Sequence, residues 1–264
     1  MRISLLPLCL CFLGGCLMPA GNQPSVELSV DAATQYNHRG MPQNATGVVQ
    51  PAGSITLPSV SEGSMTLTTW ANMDIFDDVG DAWYPDGNAW RFSEIDYIAA
   101  YSKLFGQTSA TLGVQNYNIP RGDRFPFGAR GATTEVFGRA EYDLQDGWFP
   151  FGELRVDVDE AKGWYVFAGC AKSIPIDAKF TFEAEAYASY MNSQQGFWNY
   201  GLSEAGFADA RLTTTLFYQY DDSTRFNLVA AFSTMIDSNY RDEFSNNDID
   251  ADNAWIATGV SWSY

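Results

Sequence analysis

The sequence predicts an all-β protein: a single transmembrane, antiparallel up-and-down β-barrel of about twelve strands that crosses a bacterial outer membrane. Three observations predict it. Segments of about ten residues alternate apolar and polar side chains, the length a tilted strand needs to cross a bilayer. The connections between these segments alternate between long and short, and the chain ends in a strand whose last residue, Tyr264, is aromatic. After the N-terminus, no stretch supplies the ~20 continuous apolar residues of a transmembrane helix. A membrane protein of this sequence therefore has to satisfy its backbone between strands, in a closed barrel.

The first residues bear on export. Met1-Arg2 followed by the apolar run 3–13, too short to span a bilayer, reads as a signal segment. Residues 1–20 are thereby assigned to export and residues 21–264 to the barrel. Leu13-Gly14-Gly15-Cys16 resembles a bacterial lipobox, with Cys16 as the lipidation position, while Met18-Pro19-Ala20 offers a conventional cleavage site. In the second case Cys16, like Cys9 and Cys11, is only an apolar member of a discarded segment. Cys170 is then the remaining thiol, so no disulfide framework stands behind the fold.

The chain has 264 residues, at which length a strand-rich barrel commonly forms one unit. It carries 15 Lys+Arg against 32 Asp+Glu, a formal net charge of -17. Such a surface repels polyphosphate, which excludes nucleic acid as a partner.

Taken in order, the strands justify the period-two reading. In 26–36, Val26, Leu28, Val30 and Ala32 oppose Glu27, Ser29, Asp31 and Gln35. In 134–144, Val136, Ala140, Tyr142 and Leu144 oppose Glu135, Arg139, Glu141 and Asp143, and in the next segment Leu154, Val156 and Val158 oppose Glu153, Arg155, Asp157 and Asp159. The clearest is 179–190, where Phe180, Phe182, Ala184, Ala186, Ala188 and Tyr190 share one face and Lys179, Thr181, Glu183, Glu185, Tyr187 and Ser189 the other. A helix would mix these sets. Segments 211–220 and 225–237 repeat the pattern, with Leu212, Leu216, Tyr218 and Tyr220, then Phe226, Leu228, Ala230, Phe232 and Ile236, on their apolar faces. Less regular segments at 47–57, 65–76, 89–105, 109–118, 164–174 and 253–264 complete the set; 89–105 has an ambiguous phase that a bulge would explain.

The long connections are 38–46, 77–88, 119–132, 192–206 and 238–252; the tight ones are 59–63, 106–108, 146–149, Asp177 and 221–223. Long loops outside and short turns inside place both termini in the periplasm. The exception is 160–163, short where a long loop is due. In the last strand Ile256, Thr258, Val260, Trp262 and Tyr264 form one alternate set ending in an aromatic. This resembles the insertion signal of outer-membrane barrels, which implies the barrel-insertion machinery and outer-membrane lipid as partners.

Thr34-Gln35-Tyr36-Asn37-His38-Arg39-Gly40-Met41-Pro42-Gln43, then Gln50-Pro51-Ala52 and Thr69-Trp70-Ala71-Asn72-Met73-Asp74, resemble the opening of the TorF-type porin family. Further along, the resemblance rests on strand rhythm, Thr134-Glu135 and Gly163-Trp164-Tyr165. It implies an outer-membrane barrel with pore activity and carries no catalytic or substrate-binding residues. The lipobox-like segment departs from that family.

With the apolar sets facing lipid, the lumen receives Glu27, Asp31, Asp74, Glu135, Glu141, Asp143, Glu153, Asp157, Asp159, Glu183, Glu185 and Asp237. Fewer bases share the phase: Arg139, Arg155, Lys179, Arg211 and Arg225. A water-filled lumen so lined concentrates cations. The expectation is passive diffusion of small solutes with a preference for cations. The alternative is a non-conducting barrel, its interior filled by salt bridges, that serves as a structural or adhesive surface protein. About eight strands leave no aqueous lumen and about sixteen do, so strand number leaves both open.

Catalysis is not expected. His38 is the one His in the chain, and no Ser-centred motif accompanies it. The spacing of Glu183 and Glu185 follows from strand alternation rather than from a carboxylate pair built for glycan chemistry. No cofactor and no metal are implied. Arg121-Gly122-Asp123 matches an adhesion tripeptide that turn chemistry explains equally well. Asp248-x-Asp250-x-Asp252 has calcium-loop spacing without the Gly and distal Glu, and reads as a solvated acidic loop. The oligomeric state is open, since a subunit interface and a lipid face are both apolar.

Overall fold

The computed structural model describes residues 23–44, 46–58, 62–76, 89–119 and 132–264. The export segment with Cys16, most of the connections 77–88 and 119–132, and the Arg121-Gly122-Asp123 tripeptide lie outside them.

The first wall strand, β1 (Ser25–Ala33), is followed by a short pair, β2 (Tyr36–His38) and β3 (Met41–Asn44), which pair only with each other. The wall then continues antiparallel through β4 (Val48–Pro58), β5 (Gly63–Asp74), β6 (Arg91–Phe105) and β7 (Thr108–Asn118). Next come β8 (Ala132–Tyr142), β9 (Trp148–Asp157), β10 (Trp164–Pro175) and β11 (Phe180–Met191). Helix α1 (Ser193–Tyr200) precedes β12 (Gly206–Gln219) and β13 (Thr224–Met235), and helix α2 (Ser238–Asn246) precedes β14 (Asp252–Ser263). β14 returns to β1, with Val30 opposite Val260, and closes a barrel of twelve strands. The seam continues to the chain end, where Val26 and Tyr264 exchange backbone hydrogen bonds at 3.0 and 2.8 Å. Closure removes the sheet edges, whose unpaired amides could not survive in hydrocarbon.

Alternation sorts the side chains as the sequence implies. On β11, Glu183, Tyr187 and Ser189 are buried inside while Ala186 and Ala188 are exposed outside. Leu28, Val30, Ile55, Leu67, Leu112, Val136, Leu154, Leu212, Leu228, Phe232 and Ile256 all stand more than a third exposed on the outer wall. An apolar band this continuous is the surface of a lipid-embedded barrel. Exposed aromatics border it, with Phe105, Trp148, Tyr220 and Tyr264 at one rim and Phe76, Trp90, Trp164 and Phe207 at the other. No helix among the described residues is long and apolar enough to cross a membrane.

Local chemistry sets the short turns. The Asp177 carboxylate accepts the backbone N–H of Lys179 and Phe180 at 2.7 and 2.8 Å, and Asp221 does the same for Ser223 and Thr224 at 3.0 and 2.7 Å. These bonds favour the ionised form and hold both carboxyls below their usual range.

Three details differ from the sequence reading, and one agrees with it. The first strand ends at Ala33, and Tyr36 belongs to the hairpin that follows it. The connections read as loops at 192–206 and 238–252 contain helices. Asn192 caps α1 through Gln195 N and Gly201 closes it at φ 77; Asp237 caps α2 through Asn239 N. Both helices are brief, so hydrophobic periodicity gives no signal for them. β12 starts at Gly206, five residues early, because a bulge opposite Ala188 and Tyr190 interrupts its alternation. The ambiguous phase of 89–105 does correspond to a bulge: the register of β5 and β6 shifts between Asn72 and Met73, opposite Ser93.

Candidate functional site

The connection from β1 to β4 turns into the barrel instead of standing outside it. Arg39 and Gly40, with φ of 50° and 80°, form the two-residue tip between His38 and Met41, and positive φ at both positions is the mark of a type I′ hairpin turn. Gly suits such a tip and Arg does not, so the contacts of the Arg39 side chain have to offset the strain of its backbone.

Those contacts run round the wall. Arg39 Nη2 meets both oxygens of Glu135 on β8 at 2.6 and 2.7 Å, and its guanidinium lies 4.6 Å from the Tyr165 ring on β10. Its carbonyl accepts the Tyr200 hydroxyl of α1 at 2.5 Å. The Tyr36 hydroxyl donates to Glu94 on β6 at 2.7 Å, and its ring packs 5.5 Å from Trp70 on β5. The His38 ring meets Tyr117 of β7 edge-on at 5.8 Å. On the far side, Arg211 of β12 reaches Asn37 O and Oδ1 at 3.3 and 3.2 Å, and Asn253 of β14 donates to Gly40 O at 3.3 Å. The hairpin thus crosses the full width of the lumen.

Glu135 is the hub of this layer. Besides Arg39 it accepts the Tyr117 hydroxyl at 2.9 Å, Gln195 Nε2 of α1 at 3.4 Å and Arg155 at 3.5 Å. Arg155 in turn donates to Glu153 at 2.6 Å and Gln115 at 2.7 Å. Glu135, Arg39 and Arg155 are all 2% exposed or less, so every charge here is desolvated and stands only because it is paired. Beside them Met41, Tyr165, Phe167, Tyr187, Met191 and Met235 form an apolar core inside the lumen, roofed by Tyr200 of α1 and by Tyr240 and Phe244 of α2.

Towards the short turns the interior changes character. Glu27, Asp31, Glu141 and Glu185 are partly exposed on inward positions, with Glu183 buried beside them. Arg225 stands 3.8 Å from Glu27, Asn227 donates to Asp31 at 2.9 Å and Ser173 donates to Glu183 at 3.0 Å. Arg139 lies 4.1 Å from the Phe151 ring and bonds Glu141 at 3.1 Å. This half is an acidic vestibule with few compensating bases.

The residues anticipated on the lumenal face therefore fall into two layers. Glu27, Asp31, Arg139, Glu141, Glu183, Glu185 and Arg225 belong to the vestibule. Asp74, Glu135, Arg155 and Arg211 are buried at the hairpin level, Asp74 accepting from Asn72 at 2.9 Å and from Ser93 at 3.2 Å. Glu153 lies between the layers, bonded to Arg155 and 3.5 Å from Arg139. Asp157 faces inward but organises the short 158–163 connection, accepting Thr133 Oγ1 at 2.5 Å and the backbone N–H of Asp159 and Lys162 at 3.0 and 3.1 Å.

Four others lie elsewhere. Asp159 is exposed in that connection, Lys179 is exposed in the turn before β11, Asp237 is a helix cap, and Asp143 sits in a turn and accepts Gln145 N at 2.7 Å. In each case the alternation was carried past the end of the strand. The Asp248–Asp252 stretch offers no ligand cage: Asp252 is taken by Arg241 at 2.7 Å, and among the described residues no group of three or more His, Cys, Asp or Glu could hold a metal ion.

Glu94, Asp96 and Asp209, all buried inward, were missed, as were the inward rings of Phe137, Phe151 and Trp255. Glu94 and Asp96 lie next to the β6 bulge and Asp209 next to the β12 bulge, where phase is lost. The rings are missed because apolar was equated with outward.

Gly40 supplies a test of the tip. A Cβ there would stand 2.6 Å from Met235 Sδ and 2.8 Å from Asp209 Cβ, at a φ that side chains resist. Gly40→Ala should destabilise the seated hairpin by about 1–3 kcal/mol. Faster proteolysis of residues 34–47 in the intact barrel would register it; unchanged protection would refute it.

Comparison with solved structures agrees with this architecture. The chain superposes on the COG4313 outer membrane channel from Pseudomonas putida F1 with a TM-score of 0.55 and 8% identity, over 95% of this chain and 98% of that one. For the NanC porin the TM-score is 0.53 at 10% identity, over 89% and 98%. For LpxR from Salmonella typhimurium it is 0.51 at 9%, over 89% and 99%. No protein-family model and no curated protein matches the chain. The likeness is one of fold, that of outer-membrane barrels.

Proposed function

We propose that this protein is a porin-like channel of the bacterial outer membrane, passing small solutes passively and favouring cations. The observation that carries this reading is the vestibule. A barrel with a lipid-facing outer wall has no structural need for an inner half in which Glu27, Asp31, Glu141, Glu183 and Glu185 face Arg139 and Arg225. Walls of one sign in a low-dielectric enclosure gather counter-ions. The same reading takes residues 1–20, with Cys16, as the export segment and residues 21–264 as the mature barrel. It sets the termini in the periplasm and gives the C-terminal strand to the insertion machinery. The Tyr36–Gln43 and Trp70-x-Asn72-x-Asp74 segments that resemble TorF-type porins are the hairpin and the wall against it, so the likeness falls on the most distinctive part of the interior. No catalytic residue, cofactor or metal enters this reading.

A second reading, a non-conducting barrel acting through its surface loops, is favoured by the hairpin that spans the lumen. Planar-bilayer recording separates the two. Discrete cation-selective steps from the purified barrel support a channel; a correctly inserted barrel silent both with its hairpin and without it supports the rival. Replacing both Glu183 and Glu185 with Gln should shift the reversal potential in a salt gradient towards non-selectivity. An unmoved potential would remove these two from the ion path.

A further inference from the structure

We propose that the β2–β3 hairpin is a gate: it closes the lumen while Arg39 is clamped to Glu135, and it leaves its seat as a unit to open the channel. The inference rests on the channel reading and adds where that channel closes and what holds it shut.

Three observations carry it. First, the hairpin spans the lumen, touching β5 through Trp70 on one side and β12 and β14 through Arg211 and Asn253 on the other. Seated, it occupies that level of the lumen from wall to wall, which is what the proposed closure requires. Second, β2 and β3 form a sheet of their own, apart from the barrel sheet. Unseating them breaks no strand pairing, and the barrel persists when they leave. Third, the seat is mostly polar. Its bonds run from Tyr36 to Glu94, Arg39 to Glu135, Asn37 to Arg211 and Gly40 to Asn253, groups that water can satisfy when the hairpin is out. A permanent plug would be expected to use an apolar contact that water cannot replace. Here the apolar contacts, Met41 in the lumenal core and the Tyr36 and His38 rings against Trp70 and Tyr117, accompany these bonds and do not replace them.

The clamp also reaches the connection between β11 and β12. Glu135 holds Gln195 of α1 as well as Arg39, and Tyr200 of α1 holds the Arg39 carbonyl. A shift of α1 therefore loosens the latch on both sides.

A cysteine lock tests the proposal in the full-length protein. Asn37 Oδ1 and Ser233 Oγ lie 3.5 Å apart, so Asn37→Cys with Ser233→Cys, in a Cys170→Ser background, ties the hairpin to β13. In planar bilayers the oxidised form should stay shut, and dithiothreitol should restore opening. Glu135→Gln, which keeps shape and removes charge, should raise the open fraction roughly tenfold, as should Tyr200→Phe to a smaller extent. Heat-modifiable migration of each variant on gels confirms that its barrel is folded. Equal, open conductance of the oxidised and reduced forms would overturn the gate and leave the channel standing. Replacing residues 37–43 with a short Gly-Ser turn distinguishes the other failure: a folded barrel that stays silent without its hairpin overturns the channel itself.

Discussion

Glu135→Ala should destabilise the seated state by about 3–5 kcal/mol, the scale for removing one partner of a buried ion pair. The variant leaves the Arg39 guanidinium without its carboxylate and takes from Arg155 one of two nearby acids, at positions 2% exposed or less. It also removes the acceptor for the Tyr117 hydroxyl. Because the hairpin is separate from the barrel sheet, the loss should appear as hairpin release before global unfolding. Hydrogen exchange on residues 36–44 should rise sharply while β10–β14 stay protected. Uniform loss of protection over the whole barrel would show instead that the hairpin is part of the barrel's own core.

The second large effect separates the two faces of one strand. Leu228 and Asn227 are neighbours near the middle of β13, Leu228 56% exposed on the outer wall and Asn227 inside, bonded to Asp31. Leu228→Arg places a charge in hydrocarbon near the midplane and should cost about 2–4 kcal/mol. Asn227→Arg puts the same group beside Asp31 and should leave folding nearly unchanged while reducing the acidity of the vestibule. Urea unfolding in lipid vesicles measures both. Equal sensitivity at the two positions would mean that the outer wall does not face lipid.

Where the chain alternates strictly, the sequence was a reliable guide to which way a side chain points. Glu183 and Glu185 on β11, Glu135 and Arg139 on β8, and Glu153 and Arg155 on β9 all lie inward as the period of two implies. It failed where the period breaks. The bulges in β6 and β12 hid Glu94, Asp96 and Asp209, and the strand ends misplaced Asp159, Lys179 and Asp237. The helices α1 and α2 escaped because their signals are single capping residues, Asn192 and Asp237, with no apolar stripe to accompany them.

By itself the sequence determined the barrel, its antiparallel order, the side facing lipid and the acidic excess within. These follow from local rules: a side chain one residue along points the other way, and apolar groups leave water. That Arg39 meets Glu135, 96 positions away, and that the loop after β1 folds inward could be decided only by the tertiary structure. Nothing local distinguishes a loop that stands outside from one that enters the lumen. The choice depends on whether a closed wall presents, at one height and from many strands at once, the partners that a buried guanidinium requires.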